Sequence, residues 1–377
     1  MEKNALIVTN TIGMFHFLWT DIDMLNEMGY KVYAMADNRA GEEHTLRMMA
    51  DRNVTFVDTR IDGVSLTKNT RDFYKQLRRL LASHHFDLVH CHTPLVGLFV
   101  RIAARKYRKK GTKVIYTTHG LPYTPMSSRK TFLVYNTLER FASRFCDAII
   151  THQDYGYMKA THCKNVFLIS GVGLDCRRFS NVEVDRTAYR RKLGVPVDKI
   201  AVLVVGRLIY HKNQMIVVKA LAELPDKDKF VFVVCGHETT SDPVAQELVD
   251  LSEKGGVQTV FIGFHSDMPE VIAACADIGV MPSLREGLGM AGLEMLCEGV
   301  PLVGSDVQGI REYLKDGVTG FLCNPFSVED FKNGIQKLAD PDLRRRMKPD
   351  CKAMAEKFDI SISMAQRRAI YEKILNQ

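Results

Sequence analysis

Along the first half of the chain, short apolar and β-branched runs alternate with longer stretches in which apolar residues recur every three or four positions. The runs Ala5–Thr9, Lys31–Ala36, Val54–Asp58, Asp87–His90, Lys113–Thr118 and Ala148–Thr151 predict strands. The stretches between most of them predict helices, Lys68–Ser83 and Pro94–Lys106 among them. Strands separated by crossover helices run parallel, with helices on both faces of the sheet. One more short strand, Asn165–Ile169, leads into Ser170-Gly171-Val172-Gly173, which reads as a flexible boundary. Leu174 to about Pro196 is polar and basic, and suits a hinge segment with a helix of its own. The alternation then restarts with Lys199–Val205, Phe230–Cys235, Thr259–Gly263, Ile278–Met281, Pro301–Gly304 and Gly320–Cys323. Two Rossmann-like α/β/α domains are expected, residues 1–172 and 173–358, with the carboxyl ends of their strands facing a central cleft. Residues 359–377 predict a single amphipathic helix.

Composition changes this picture little. A chain of 377 residues with 46% apolar and 25% charged residues is ordinary for a soluble two-domain protein. Nine scattered cysteines without a C-x-x-C pair argue for buried thiols in a reducing, cytoplasmic compartment, against a disulfide framework or a zinc site. The first residues lack a signal-peptide plan, and no apolar run reaches the ~20 residues of a membrane span.

Charge is more informative. Residues 1–180 hold 26 Lys/Arg against 16 Asp/Glu, although the whole chain is only +7. The densest run is Arg101, Arg105, Lys106, Arg108, Lys109 and Lys110. Either it is a solvated face or it meets an anionic membrane surface. No nucleic-acid-binding module accompanies it, so nucleic acid is not expected as a partner.

The chemistry concentrates between Pro282 and Pro301, in PSLREGLGMAGLEMLCEGVP. A strand ends at Met281, a turn follows, and a helix is predicted from Met290 to Glu298, where Gly299 stops it. Gly287 and Gly289 let a ligand approach the backbone around Leu288. The free N–H groups of the helix start attract an anion. Glu286 and Glu294 repel phosphate but accept hydroxyl protons well. A group with phosphate in the middle and hydroxyls on both sides, such as a nucleotide sugar, fits this set. The same stretch also matches G-x-G-x-x-G at Gly287, Gly289 and Gly292, with Asp306 placed as a ribose acid. That second reading makes a nicotinamide-dependent oxidoreductase. A non-catalytic binding scaffold is the third possibility. The dinucleotide fingerprint belongs in the first βα turn of a sheet, and here three strand-like runs precede it.

Other candidates sit at the ends of predicted strands. Gly206-Arg207-Leu208 and Lys212 follow strand Lys199–Val205, offering a guanidinium and an ammonium to a diphosphate leaving group. His119-Gly120 closes Lys113–Thr118, where an imidazole can bond a sugar hydroxyl or act as a base. His90 and His92 close the preceding strand, without carboxylates or thiols at ligand spacing, so no metal is expected. Gly13 lies where the first loop can admit a ligand. Gly263 and Phe264 end another strand and could carry a nucleobase, with Ser266 expected to cap the helix that follows.

Together these elements resemble glycosyltransferase family 4, retaining enzymes of the GT-B fold. The Glu-x7-Glu element (Glu286, Glu294), the G-R-L-x-x-x-K element (Gly206, Arg207, Leu208, Lys212) and T-H-G (His119, Gly120) occur in the family's order. Ile169–Asp175 looks like its interdomain segment, and Gly317–Leu322 also matches. The resemblance implies a donor-binding second domain, an acceptor-side first domain, and a C-terminal helix that returns to the first. It implies that Glu286 contacts the donor sugar and Glu294 the ribose. Arg207 and Lys212 would hold the diphosphate, assisted by amides near Leu288 and Gly289, and His119 would lie by the sugar. No cofactor and no essential metal is implied beyond the nucleotide diphosphate sugar. The first loop, TIGMF, carries only Gly13 where many members have two glycines, and SDVQG replaces a common glycine pair after Gly304. The opening half looks most like bacterial enzymes that build capsular or exopolysaccharide units on a lipid carrier. A peripheral site at the inner face of the cell membrane, with a lipid-linked saccharide acceptor, follows from that likeness.

Overall fold

The computed structural model describes residues 3–62, 67–121, 128–152, 155–180, 182–237 and 244–376. In the first sheet, β1 (Lys3–Thr11) runs through the middle, its residues from Ala5 to Thr9 shielded on both faces. Beside it are β2 (Tyr30–Asp37) and β3 (Thr55–Thr59) on one side. On the other are β4 (Leu88–His92), β5 (Lys113–Thr117), β6 (Ala148–Thr151) and β7 (Val166–Leu168). The order is β3-β2-β1-β4-β5-β6-β7, and every pairing is parallel. Continuous apolar strands such as Ala5–Val8 suit a sheet covered by helices on both faces.

The second sheet contains β8 (Ile200–Val205), β9 (Phe230–Cys235), β10 (Thr259–Gly263), β11 (Ile278–Met281), β12 (Leu302–Ser305) and β13 (Gly320–Cys323). Its order is β10-β9-β8-β11-β12-β13, again all parallel. Each sheet therefore reverses its winding once, between β1 and β4 in the first and between β8 and β11 in the second. The connections that follow those strands lead to opposite faces of the sheet, and at such a reversal open α/β sheets accept ligands.

The chain folds as two compact units, Met1–Val172 with Ile362–Gln377, and Gly173–Ser361. The last helix, Ile360–Leu375, returns to the first sheet: Ile370, Tyr371 and Ile374 share a core with Ala5, Ile7, Val32 and Leu88. The hinge region carries two helices, Cys176–Phe179 and Arg186–Lys192. Ser266 does not cap the helix Met268–Cys275. Asp267 takes the cap position, and its carboxylate is held by Tyr189 (2.5 Å) and His265 (2.9 Å), away from the helix amides. All nine cysteines are free and buried. Among the described residues no helix is long and apolar enough to cross a membrane.

Candidate active site

At the reversal point of the second sheet, two loops are tied edge to edge. Leu284 N–H, after β11, donates to the His211 carbonyl, after β8 (2.8 Å). Asn213 donates its amide to the carbonyls of Pro282 (3.1 Å) and Pro325 (2.9 Å). This scaffold brings Lys212 Nζ to 2.5 Å from Glu286 Oε1. Ser283 Oγ donates to the same oxygen at 2.6 Å. Glu286 is 10% exposed, and its Oε2 takes no hydrogen bond among the described residues. The Lys212 stem runs past Gly206, where a Cβ would lie 3.7 Å from Lys212 Cε. Arg207 next to it is exposed.

The helix Met290–Glu298 begins at Gly289, which has φ +79°, and among the described residues no side chain caps its first amides. A Cβ on Gly289 would stand 2.8 Å from the Tyr313 hydroxyl, and one on Gly292 only 2.4 Å from it. That hydroxyl donates to the Gly289 carbonyl at 3.0 Å. Gly289 and Gly292 thus make room for Tyr313, which props the turn from beneath. Glu294 is one turn inside the helix. Burial pushes its carboxyl up to about 7, opposed by the charge of Arg178. At neutral pH it is poised between a proton of its own and a donor supplied by a ligand. Three strands from β11, ~14 Å by strand spacing, Gly263 ends β10 and Phe264 stands 75% exposed, its ring edge-on to His237.

The first unit gathers histidines. His92 Nδ1 and His119 Nε2 share a hydrogen bond of 3.0 Å, and His119 also faces the His152 ring at 6.2 Å. His90 lies against His92, ring centroids 4.1 Å apart. The Tyr371 hydroxyl donates to Asp21 (3.1 Å), so its oxygen accepts from His90 Nδ1 (2.8 Å). His90 Nε2 then accepts from Thr117 Oγ1 (2.8 Å). Burial pulls His90 and His119 down to about 3 and His152 to about 4, and it holds His92 well below its usual value. His119 is therefore a neutral imidazole, suited to a hydrogen bond and poorly matched to proton abstraction near pH 7. Among the described residues no three His, Cys, Asp or Glu side chains converge on a metal position.

Residues 13–157 match the family model described as glycosyltransferase family 4, and residues 185–354 match glycosyl transferases group 1. Over 311 residues the chain is 32% identical to the putative glycosyltransferase EpsD of Bacillus subtilis, covering 80% of this chain and 81% of that one. The chain belongs to glycosyltransferase family 4. This glycosyltransferase is also 27% identical, over 79% of its length and 77% of the relative's, to an Escherichia coli enzyme. That enzyme is described as UDP-Gal:alpha-D-GlcNAc-diphosphoundecaprenol alpha-1,3-galactosyltransferase. The crystal structure of HepE from Anabaena with UDP and glucose superposes with a TM-score of 0.80 at 20% identity, covering 100% of both chains. That likeness fixes the fold as GT-B.

Membership of the family displaces the oxidoreductase and scaffold readings, and the geometry gives the reason for the first. The G-x-G-x-x-G turn follows β11, the fourth strand of its sheet, and Asp306 is engaged by Arg311 Nε. Three further expectations change in this glycosyltransferase. The group that approaches Gly13 is the carboxylate of Glu42: a Cβ there would meet Glu42 Oε1 at 2.9 Å. A negative charge at that point disfavours phosphate. Arg101 is fully buried and paired with Glu139 (2.9 Å), so it is no part of the basic surface. Arg108 forks onto Asp147 at 2.6 Å and is largely neutralised, which leaves Arg105, Lys106, Lys109 and Lys110 outside that pairing. Sequence reasoning misses Ser283, Tyr313 and Arg178. Ser283 has a local signal, three residues before Glu286. Tyr313 and Arg178 have none, because only the tertiary fold brings them to the helix.

Proposed function

We propose that this glycosyltransferase moves a sugar, with retention of anomeric configuration, from a uridine diphosphate sugar to a lipid-linked saccharide acceptor. The setting would be assembly of a bacterial capsular or extracellular polysaccharide, at the inner face of the cell membrane. The observation that carries the donor assignment is the Lys212–Glu286 pair beside the uncapped start of Met290–Glu298. Arg207 and Lys212 bind the diphosphate, and amides near Leu288 and Gly289 add to them. As the bond from the sugar C1 to the diphosphate oxygen breaks, charge grows on that oxygen, so both cations gain most in the transition state. The acceptor hydroxyl oxygen bonds to C1 from the same face, and its proton passes to the departing diphosphate. Glu286 keeps Oε1 on Lys212 and Ser283 and offers Oε2 to sugar hydroxyls. Glu294 accepts from the ribose, and Phe264 beside Gly263 lies under the base. On the first unit, His119 gives a neutral hydrogen-bonding group to a sugar hydroxyl.

The UDP and the lipid-linked acceptor are supported by the E. coli relative's description and by the UDP held in HepE. Two cations at the diphosphate make a metal ion unnecessary in this reading. The test is a panel of nucleotide diphosphate sugars. A UDP-sugar is expected to raise the melting temperature by mass action and to hydrolyse slowly with EDTA present, with a retained anomer by proton NMR. An inverted product would refute retention. Activity lost in EDTA and restored by Mn²⁺ would refute the metal-free reading.

A further inference from the structure

The helix Arg129–Ala142 has two apolar stripes where packing requires one. Phe132, Tyr135 and Ala142 turn inward to the core of the first unit, together with Glu139, which pairs with the buried Arg101. On the outer side Val134, Leu138 and Phe141 recur at i, i+4 and i+7, and all three are exposed, as is Leu133 at 65%. Folding does not account for this outer stripe, and water disfavours it. Its setting is basic: Arg129 and Lys130 open the same helix, and both are exposed. Phe141 meets Phe145 edge-on at 5.2 Å, and the Arg105 guanidinium lies 5.9 Å over Phe145, so the exposed part of the basic run borders the stripe. Glu139 is the only acidic residue between Arg129 and Arg144, and it points inward.

Leu138 also lines a cavity of about 450 Å³, with Ile61, Leu95, Val96, Leu98 and Tyr135. The cavity lies at the reversal point of the first sheet, where Thr11 ends β1 and Thr93 follows β4. Its lining includes Asn10, whose buried Oδ1 has no hydrogen-bond partner among the described residues. A mainly apolar chamber that opens beside an apolar, base-rimmed helix suits a hydrocarbon chain whose charged head stays outside.

We propose that Arg129–Ala142 lies in the membrane interface and that this cavity takes the first isoprenoid units of a polyprenyl-phosphate-linked acceptor. The assignment rests on the acceptor reading above. It adds where the chain of the lipid is held and which residues hold it.

Two measurements test it. The first uses vesicles of 70% phosphatidylcholine and 30% phosphatidylglycerol. The wild type is expected to sediment with them, and Val134→Ser/Phe141→Ser to lose at least tenfold in bound fraction. A Phe141→Trp probe in a Trp19→Phe background should be quenched by brominated lipid chains. The second uses farnesyl phosphate as a soluble probe, followed by calorimetry. Leu98→Trp fills the cavity and should weaken farnesyl phosphate at least tenfold, with UDP affinity unchanged. Leu95→Trp, from another part of the wall, repeats the test should the first variant misfold. Farnesyl phosphate that binds no more tightly than inorganic phosphate would overturn the cavity assignment, and intact UDP binding in the same sample would leave the donor site standing. An outer stripe whose replacement dissolves a dimer in sedimentation velocity, without changing vesicle binding, would make it a contact between copies and overturn the membrane assignment.

Discussion

Lys212 Nζ and Glu286 Oε1 meet at 2.5 Å although 74 residues separate them in the chain. The contact joins the loop after β8 to the loop after β11, so one pair links the cation proposed for the diphosphate to the acid proposed for the sugar. Glu286→Ala is therefore expected to lower donor hydrolysis at least 100-fold and to leave UDP affinity within about threefold. Lys212→Ala should weaken UDP itself by roughly 10- to 150-fold, the value of one hydrogen bond to a charged group. Equal losses of UDP affinity in both variants would contradict the division of roles.

Glu294 should make nucleotide binding release protons. Its carboxyl is pushed up to about 7 by burial, against an ordinary value of 4.5. Ribose hydroxyls donate to the ionised form, so UDP is expected to displace a proton near pH 6.5. Calorimetric enthalpies should then differ between phosphate and Tris buffers, and the difference should vanish in Glu294→Gln. The stability effect has a fixed sign as well. The folded state holds the proton more tightly than the unfolded one, so this contribution is full below about pH 4.5 and is lost as pH rises through 7. Glu294→Gln should accordingly gain in melting temperature relative to wild type at pH 8 and not at pH 5.

The buried histidines act in the opposite direction. His90 and His119 are held near 3 and His152 near 4, against 6.5 when unperturbed. The unfolded chain takes up protons below about pH 6.5 while the folded chain does not. Stability is therefore full above that value and falls as pH drops toward 4, each tenfold loss of proton affinity on folding being worth up to ~1.4 kcal/mol. Thermal melts should show a steep loss between pH 6.5 and 4.5, shallower in His152→Phe. Imidazole proton resonances that all titrate near 6.5 would rule this out.

Tyr313 carries the turn that presents the helix amides. A methyl at residue 292 would press on its hydroxyl at 2.4 Å and its ring at 2.8 Å. Gly292→Ala is expected to cost about 1–3 kcal/mol, as overpacking does, and to weaken UDP with it. Gly292→Ala/Tyr313→Leu should recover part of the stability but not the UDP affinity, because the bond to the Gly289 carbonyl stays broken. Full recovery of both would show that the propped turn is irrelevant to the ligand.

Much of this is readable along the chain. Runs such as Ile278–Met281 and Phe230–Cys235 are apolar at every position, or nearly so, because both faces of their sheet are covered, and a strand of that kind has few other readings. The bounds of Met290–Glu298 are legible because Gly299 adopts φ +87° at its end. Arg101 reads as surface charge and is not. It lies with Gly97 and Ala104 on the buried stripe of Pro94–Arg108, so its helical phase holds the warning. The carboxylate of Glu42 over Gly13 has no local signal, since it depends on how a later segment packs across the first loop. The second stripe on Arg129–Ala142 is visible as spacing, yet only the packed core shows which stripe is left outside.

The first unit is discontinuous in the chain, and this orders the protein's birth. Emerging from the ribosome, Gly173–Ser361 is complete before the sixteen residues of Ile360–Leu375 have all appeared. Until they do, Ala5, Ile7 and Leu88 lack their cover from Ile370 and Ile374, and His90 lacks the Tyr371 hydroxyl. The segment synthesised first therefore cannot complete its core until the whole of the second unit has been made.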